Sequence, residues 1–417
     1  MTALLSVEEA RRQMLVGLEP LPAEEVELLD ARGRALAEPV ISRLTLPPWD
    51  NSAMDGFAVR AEDIESATRE RPVTLDVVGE VAAGRVPEVE VAPRTAVRIL
   101  TGALLPAGAD AVVPVEGTDA QPGVSALPGR VAIFDAQARG AHIRRAGSDV
   151  RSGDRLLEPG SELTPAGVAV AAAGGHSRVT VHRRPRVAVL ATGDELAAAG
   201  SELGPAQIPD SNSVGLAACA VEAGAEVRQL GIARDEVEDV IDRLRVGLEW
   251  ADAVIASGGV SVGAHDVVKD AFVQVGRVEL WRIAVQPGKP LAFGRAPAAG
   301  RLTEVLLFGL PGNPVSSLVT FELFVRPVLR RLAGHTDVLA REVVCARLGQ
   351  PVTKSAGRRA FLRVKLVADG PGWRASLAGS QDSHVLSALA AADGLAIIPE
   401  SYESLPAGSE VEVIRIR

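Results

Sequence analysis

The sequence predicts a multidomain protein of mixed class, α/β plus β, organised around a central, mostly parallel α/β/α sandwich. From about 178 to 332, apolar runs of strand length alternate with helix-length amphipathic runs. Such alternation implies parallel strands with helices on both faces. Before and after it, from about 56 to 143 and from about 333 to 417, short runs punctuated by proline and glycine read as β structure. With 417 residues the chain is too long for one ordinary core.

In chain order, Ser6 to Leu18 reads as an amphipathic helix. Ser6 and Glu9 form a capping box, Val7, Ala10, Met14 (or Leu15) and Leu18 share a face, and Pro20 and Pro22 end it. Residues 24–40 give mixed signals, read as a short strand and a helix. Leu46 to Arg60 begins as a proline-stiffened linker and ends as a strand. Val73–Val78 and Thr95–Thr101 alternate apolar and polar, and Ala111–Val115 is a short apolar run. A helix follows, capped by Thr164, with Pro165 at its first position and Gly174-Gly175 closing it. In the alternating region, strands are expected at 186–191, 226–231, 252–257, 280–285 and 304–309, and helices at 212–223, 236–248, 266–275 and 314–332. Asn313 can cap the last helix, with Pro314 at its first position. The C-terminal strands are 341–347, 359–367 and 410–417, interrupted by a helix over 383–391.

The bulk numbers narrow the function classes. Residues are 47% hydrophobic but only 3% aromatic, so the cores are alanine, valine and leucine. A net charge of −9, with both signs interspersed, argues against a sequence-independent nucleic-acid surface. No apolar run reaches membrane-spanning length, and the charged N-terminus (Glu8, Glu9, Arg11, Arg12) is unlike a signal peptide. Cys219 and Cys345 lie far apart in apolar surroundings; neither a disulfide framework nor a cysteine metal site follows, and a reduced cytoplasm is the expected setting. The histidines lack zinc-site spacing, and there is no G-x-S-x-G, Walker A lysine or G-x-G-x-x-G.

The chemistry is expected at the carboxyl ends of the strands. Ser257-Gly258-Gly259-Val260-Ser261 turns from a strand into a helix, which brings bare N–H groups and a positive helix end to one point. Thr192-Gly193-Asp194-Glu195 and Pro311-Gly312-Asn313-Pro314 repeat the layout. Ligands collect at such loops. Asp194, Glu195, Asp235 and Asp266 all follow strands, so they share one edge; carboxylates beside phosphate-binding loops suit Mg²⁺. Each alone is equally an ordinary first-turn acid; their concurrence with three glycine-bearing loops favours a site. Lys289, in Gln286-Pro287-Gly288-Lys289-Pro290, with Arg282 on its approach, reads either as an oxyanion ligand or as a solvated turn lysine. Asp55, Thr101 and Asp149 read as turn residues.

D-N-S-A-M-D-G-F-A-V-R, R-I-L-T-G, G-A-D-A-V-V, A-T-G-D-E-L, D-S-N, S-G-G-V-S-V-G-x-x-D, P-G-K-P-L-A-F-G and G-L-P-G-N-P-V-S-S occur in order along the chain. Together they resemble the MoeA family of molybdopterin molybdenumtransferases, similar to the E domain of gephyrin and its plant counterpart. The resemblance implies that adenylylated molybdopterin and molybdate give molybdenum cofactor and AMP, with a divalent metal, usually Mg²⁺. It implies a molybdopterin-binding type of α/β domain at 178–332, with a helix over 1–20 packing on it. A discontinuous α+β linking domain (21–46 and 144–177), a β-rich domain (47–143) and a C-terminal β domain (333–417) complete the subunit. It implies a homodimer whose cleft lies between the α/β domain of one subunit and the β domain of the other, with a molybdopterin adenylyltransferase acting upstream, and no nucleic acid or membrane as partner.

On that basis Asp55, Thr101 and Asp149 become cleft residues. Glu195, Asp235, Asp266, Lys289, Pro311 and Pro314 match positions around pterin, nucleotide and metal, with Glu195, Asp235 and Asp266 as metal ligands. Arg363 and Ser383 match C-terminal positions that face the cleft and contact the oxyanion, and the molybdate dianion suits Lys289 and Arg363. Gln286 stands where many relatives have lysine, and Asp382 where glycine is usual. Two other readings are a scaffold that keeps the fold for partner binding, and a molybdopterin adenylyltransferase. Retained carboxylates and Lys289 argue against the first; the β domain and the C-terminal domain argue against the second.

Overall fold

The computed structural model describes residues 4–121, 123, 126–258, 267–298, 300, 303–339 and 341–417. Its centre is a six-stranded sheet in the order Glu226–Ala233, Arg186–Thr192, Ala253–Ser257, Glu304–Leu310, Pro290–Pro297, Arg277–Arg282. The first four strands are parallel; the last two are antiparallel to their neighbours. Alternate residues face opposite sides, as the two-residue period of a strand requires. Val187, Val189, Ile255 and Phe308 pack on helix Asn212–Glu222 and the helical segment 314–332, together with Val7, Ala10 and Met14 of helix Val7–Leu15. Ala188, Leu190, Val254 and Leu307 pack on helices Val237–Trp250 and Val267–Val275. The chain leaves strand Arg186–Thr192 for a neighbour on one side, then returns for a neighbour on the other. A crevice opens where the strand order reverses in this way.

Several expectations need correction. Strand Pro290–Pro297 is absent from the sequence reading because its bounding prolines read as turn. The expected strand 280–285 divides: Arg277–Arg282 belongs to the central sheet, whereas Val285–Gln286 pairs with Arg359–Ala360 in the C-terminal sheet. No α-helix forms over 28–39; Gly33 N and Leu36 N instead donate to Leu163 O and Ser161 O. The expected helix 314–332 contains π turns at Phe321–Val325, between α turns Pro314–Thr320 and Arg326–Leu332. Pro327 cannot donate to Leu323 O, and Arg11 Nε reaches that carbonyl at 3.2 Å. Only half of the expected capping box forms: Glu9 N donates to Ser6 Oγ, but the Glu9 carboxylate accepts from Arg12 and Gln13. The Thr164 cap forms as expected, accepting from Gly167 N.

The C-terminal strands close on themselves. Arg359–Asp369, Gly372–Leu377, Val343–Leu348, Glu410–Arg415 and Gly394–Ile398 make a barrel, since the last pairs back with the first. The β-rich region has one five-stranded sheet, ordered Ala111–Pro114, Gly56–Val59, Thr95–Ile99, Val73–Val81, Arg130–Ile133, with small apolar clusters on both faces. Strand Ala23–Glu27 pairs with Arg178–His182, and Val40–Ile41 with Arg155–Leu157, around helix Pro165–Ala173. Among the described residues no helix is long and apolar enough to cross a membrane. Both cysteines are free thiols. Burial pushes the Cys219 thiol up to about 12, whereas Cys345, expected in apolar surroundings, is exposed.

Candidate active site

The site is built from backbone first. Strand Arg186–Thr192 ends at Thr192, and Gly193 N donates to Ala233 O, tying its turn to the end of the neighbouring strand. Asp235 N donates to Asp194 Oδ1 at 3.2 Å, so Asp194 and Asp235 meet. A Cβ on Gly193 (φ +151°) would lie 2.5 Å from Glu195 Oε2. The Glu195 carboxylate therefore folds back over this glycine.

The next turn is pressed against the first. Gly258 (φ +100°) donates its N–H to Leu310 O, and a Cβ there would stand 2.5 Å from Thr192 O. Only glycine fits so close an approach with positive φ. Gly312 lies alongside, since its Cβ would be 3.7 Å from Gly258 Cα. Three strand-end loops thus adjoin, bringing Thr192, Gly193, Asp194, Glu195, Asp235, Ser257, Gly258 and Gly312 together. Pro311 and Asn313 flank Gly312 in the third loop, and Pro314 starts its helix. Asn313 stands at the expected cap position, but its side chain makes no capping bond; its backbone carbonyl accepts from Ser317 N. Gly259, Ser261 and Asp266 lie outside the described residues.

Asn212 is the residue that sequence reasoning passed over. Its Nδ2 donates to Ser257 Oγ at 2.8 Å and to Gly312 O at 2.7 Å. It occurs in the D-S-N motif, but asparagine at a helix start reads as a local cap, and nothing in the spacing signals contacts this distant. Around the same loops, Thr192 Oγ1 and Asn212 Oδ1 are buried without a hydrogen-bond partner among the described residues, as are Ser317 Oγ and Thr320 Oγ1 on the helix that follows Asn313. An unpaired buried polar atom costs about 1–3 kcal/mol, so each of these groups calls for a partner, from water or from a bound molecule.

The other wall comes from the 282–290 turn and the barrel. Gly288 (φ +104°) packs against Thr320 Oγ1, and Lys289 presents a half-buried side chain. Gln286 Oε1 accepts from Ser355 N, so this side chain holds a barrel loop. The Arg282 side chain is exposed, while its carbonyl accepts from Leu5 N. Arg363 is 1% exposed, with Nη2 donating to Ser380 O and Asp382 O. Burial lowers its pKa. Arg363 shapes the 380–383 loop from beneath. Ser383 O on that loop accepts from Val315 N, docking the barrel on the start of helix Pro314–Thr320. Asp382 accepts from Ser380 Oγ within the loop.

On the β-rich sheet, Asp55 and Thr101 meet across 46 residues of sequence. Thr101 Oγ1 and N both donate to Asp55 Oδ1, at 2.7 and 2.6 Å. The side-chain bond first, then the backbone bond, hold the Asp55 carboxyl below its ordinary value. Asp55 also lines a cavity of about 520 Å³ with Phe57, Arg98, Leu100 and Val115. Asp149 is exposed and donates its backbone N–H to Leu46 O.

The donor set on the central edge is carboxylate oxygen, from Asp194, Glu195 and Asp235. Among the described residues no group of three His, Cys, Asp or Glu converges on one point. Two or so carboxylates, completed by water and substrate phosphate, are what Mg²⁺ requires, and the residues fit that ion better than zinc.

Three family models cover most of the chain: the MoeA N-terminal region (domain I and II) over 5–175, the probable molybdopterin binding domain over 188–331, and the MoeA C-terminal region (domain IV) over 345–416. Molybdopterin molybdenumtransferase 2 of Mycobacterium tuberculosis is 42% identical, over 98% of both chains. The chain belongs to the MoeA family. Molybdopterin molybdenumtransferase of Haemophilus influenzae is 35% identical, again over 98% of both. The MoeA likeness extends to the fold. A crystal structure of the molybdopterin biosynthesis MoeA protein from Pyrococcus horikoshii superposes with TM-score 0.79 at 34% identity, covering 100% of each chain.

Proposed function

We propose that the chain inserts molybdenum from molybdate into adenylylated molybdopterin, releasing AMP and giving molybdenum cofactor. The carrying observation is the convergence of three strand-end loops, with unpartnered buried polar atoms among them, in a member of the MoeA family. Backbone at Gly193, Gly258 and Gly312 lets a phosphoanhydride approach closely, with no Cβ in the way. Thr192 and Ser257 offer hydroxyls to the same group, and Asn313 adds an exposed amide. Lys289 supplies a positive charge for the molybdate dianion, with Arg282 behind it. Glu195 and Asp235, with Asp266, would hold Mg²⁺, which when bound neutralises charge on phosphoanhydride oxygens. Asp194 positions Asp235 through its backbone N–H.

Asp55 and Thr101 complete the site from a second copy of the chain. They stand on a different sheet from the strand-end loops. Their neighbours Met54 and Leu100 are 38% and 37% exposed, an apolar surround that a partner subunit would cover. A homodimer with two shared clefts follows, fed by a molybdopterin adenylyltransferase; free thiols suit a cytoplasmic setting.

The deciding assay supplies adenylylated molybdopterin, Mg²⁺ and molybdate and measures AMP. Release that depends on molybdate is expected, and chelation of the metal should stop it; a folded protein releasing none would end the proposal. AMP transfer from ATP to molybdopterin would mark an adenylyltransferase instead. For the shared cleft, inactive Asp55→Ala and Asp235→Ala chains are unfolded, mixed and refolded together. About a quarter of wild-type activity should return, because half the dimers are mixed and each carries one intact site. No recovery in refolded mixed dimers would place both residues on one subunit's cleft.

A further inference from the structure

We propose that Asn212 is a positioning residue that sets the width of the crevice, by pinning the end of strand Ala253–Ser257 to the turn after Glu304–Leu310. The inference rests on the reaction proposed above for the same site. Both Nδ2 hydrogens of Asn212 leave its own helix. One goes to Ser257 Oγ, 45 residues away, and one to Gly312 O, 100 residues away. The amide orientation is settled by chemistry, since the Gly312 carbonyl can only accept, so the group facing it is NH₂. Among the described residues the carboxamide oxygen has no hydrogen-bond partner, so both of the side chain's cross-links are made by its NH₂ group.

The element carrying Asn212 is itself held in place. Asp210, just before the helix, accepts from Ser213 N at 3.0 Å and also from the Ser213 hydroxyl, and its own N–H donates to Ala197 O. Three residues after Asn212, Gly215 packs on Leu318, 3.3 Å from where a Cβ would stand. Helix Asn212–Glu222 is thus fixed at its start and against the helix that follows Pro311–Asn313. Asn212 transmits that rigidity to two loops whose backbone must grip one ligand. Geometry of this kind is fixed best from secondary structure, not from the loops themselves.

The test uses the full-length protein and two variants, Asn212→Ala and the isosteric Asn212→Asp. In Asn212→Ala, backbone amides of Ser257, Gly258, Gly312 and Asn313 should exchange with solvent faster than in wild type. The KM for adenylylated molybdopterin should rise about tenfold, the equivalent of one net hydrogen bond, with kcat changed less. Asn212→Asp sets a carboxylate against the Gly312 carbonyl. Its KM, taken as a ratio to wild type, should be raised at neutral pH and fall as the pH is lowered and the acid regains a donor. Wild-type exchange and KM in folded Asn212→Ala would overturn the proposal, as would a pH-independent ratio in Asn212→Asp. If Asn212→Ala does not fold, the Asn212→Asp ratio decides alone. If wild type itself fails to turn over, the proposed reaction falls, and the exchange comparison still decides whether Asn212 pins the loops.

Discussion

The strand-end loops of the central sheet and the Asp55–Thr101 pair of the β-rich sheet solve opposite problems. At the loops, backbone does the work: glycines at 193, 258 and 312 let three chain segments touch, and polar atoms such as Thr192 Oγ1 are left without partners. At the pair, side chains do the work: two donors from Thr101 meet one oxygen of Asp55, which is held ionised, and leave the other oxygen for an outside group. The loops carry buried polar groups that have no partner among the described residues. The pair is already satisfied and presents a finished charge. Binding strength should therefore trade against stability at the loops, and not at the pair.

The sharpest break comes from Asp55→Ala. Activity should fall by roughly 10²–10³, the scale of losing one preorganised polar group in an active site. Thermal stability should barely move, since the residue is exposed; calorimetry and the AMP assay read the two effects separately. A large loss of stability would make the pair structural. Gly258→Ala comes next. Positive φ and the close Thr192 carbonyl predict about 2 kcal/mol of destabilisation, measurable by urea denaturation, together with weaker substrate binding. An alanine accepted without cost would mean that the loops are not pressed together.

Smaller and opposite in sign, Thr192→Val removes an unpartnered hydroxyl from a buried position and should stabilise the fold by up to about 1 kcal/mol, while raising the substrate KM. A variant less stable than wild type would show that the hydroxyl is satisfied in solution. The smallest effect is a titration shift. Without the Thr101 hydroxyl, in Thr101→Val, the Asp55 carboxyl should titrate closer to its ordinary value of 3.8, observable by carbon NMR. The sign follows from linkage: a carboxyl with a folded pKa below its unfolded one adds stability above the unfolded value, and that stability is lost as pH falls through the folded one. Wild type should therefore lose this contribution below about pH 3.8, and Thr101→Val should have less to lose.

Much of the fold was legible because periodicity is local. The strands at 186–191, 252–257 and 304–309, and the helices between them, announce themselves by runs of apolar residues. The order of the motifs announced the family. The prolines at 290 and 297 hid a strand, since a bounding proline looks the same in sequence whether it ends a turn or frames a strand. The helix expected over 314–332 takes no account of Pro327, and nothing near Arg11 marks it as the donor to the carbonyl that this proline leaves unpaired in the helix.

What the sequence by itself determined is the alternation of elements and the residue types at the strand ends, because both depend on neighbours a few positions apart. Only the tertiary structure decided that Asn212 joins Ser257 to Gly312, that Thr101 serves Asp55, that residues 283–286 carry the chain from one sheet to another, and that Arg363 turns inward beneath a loop. Those contacts link positions up to 100 residues apart. Their energy comes from geometry that exists only once the sheet has closed the distance, and no spacing rule along the chain encodes it.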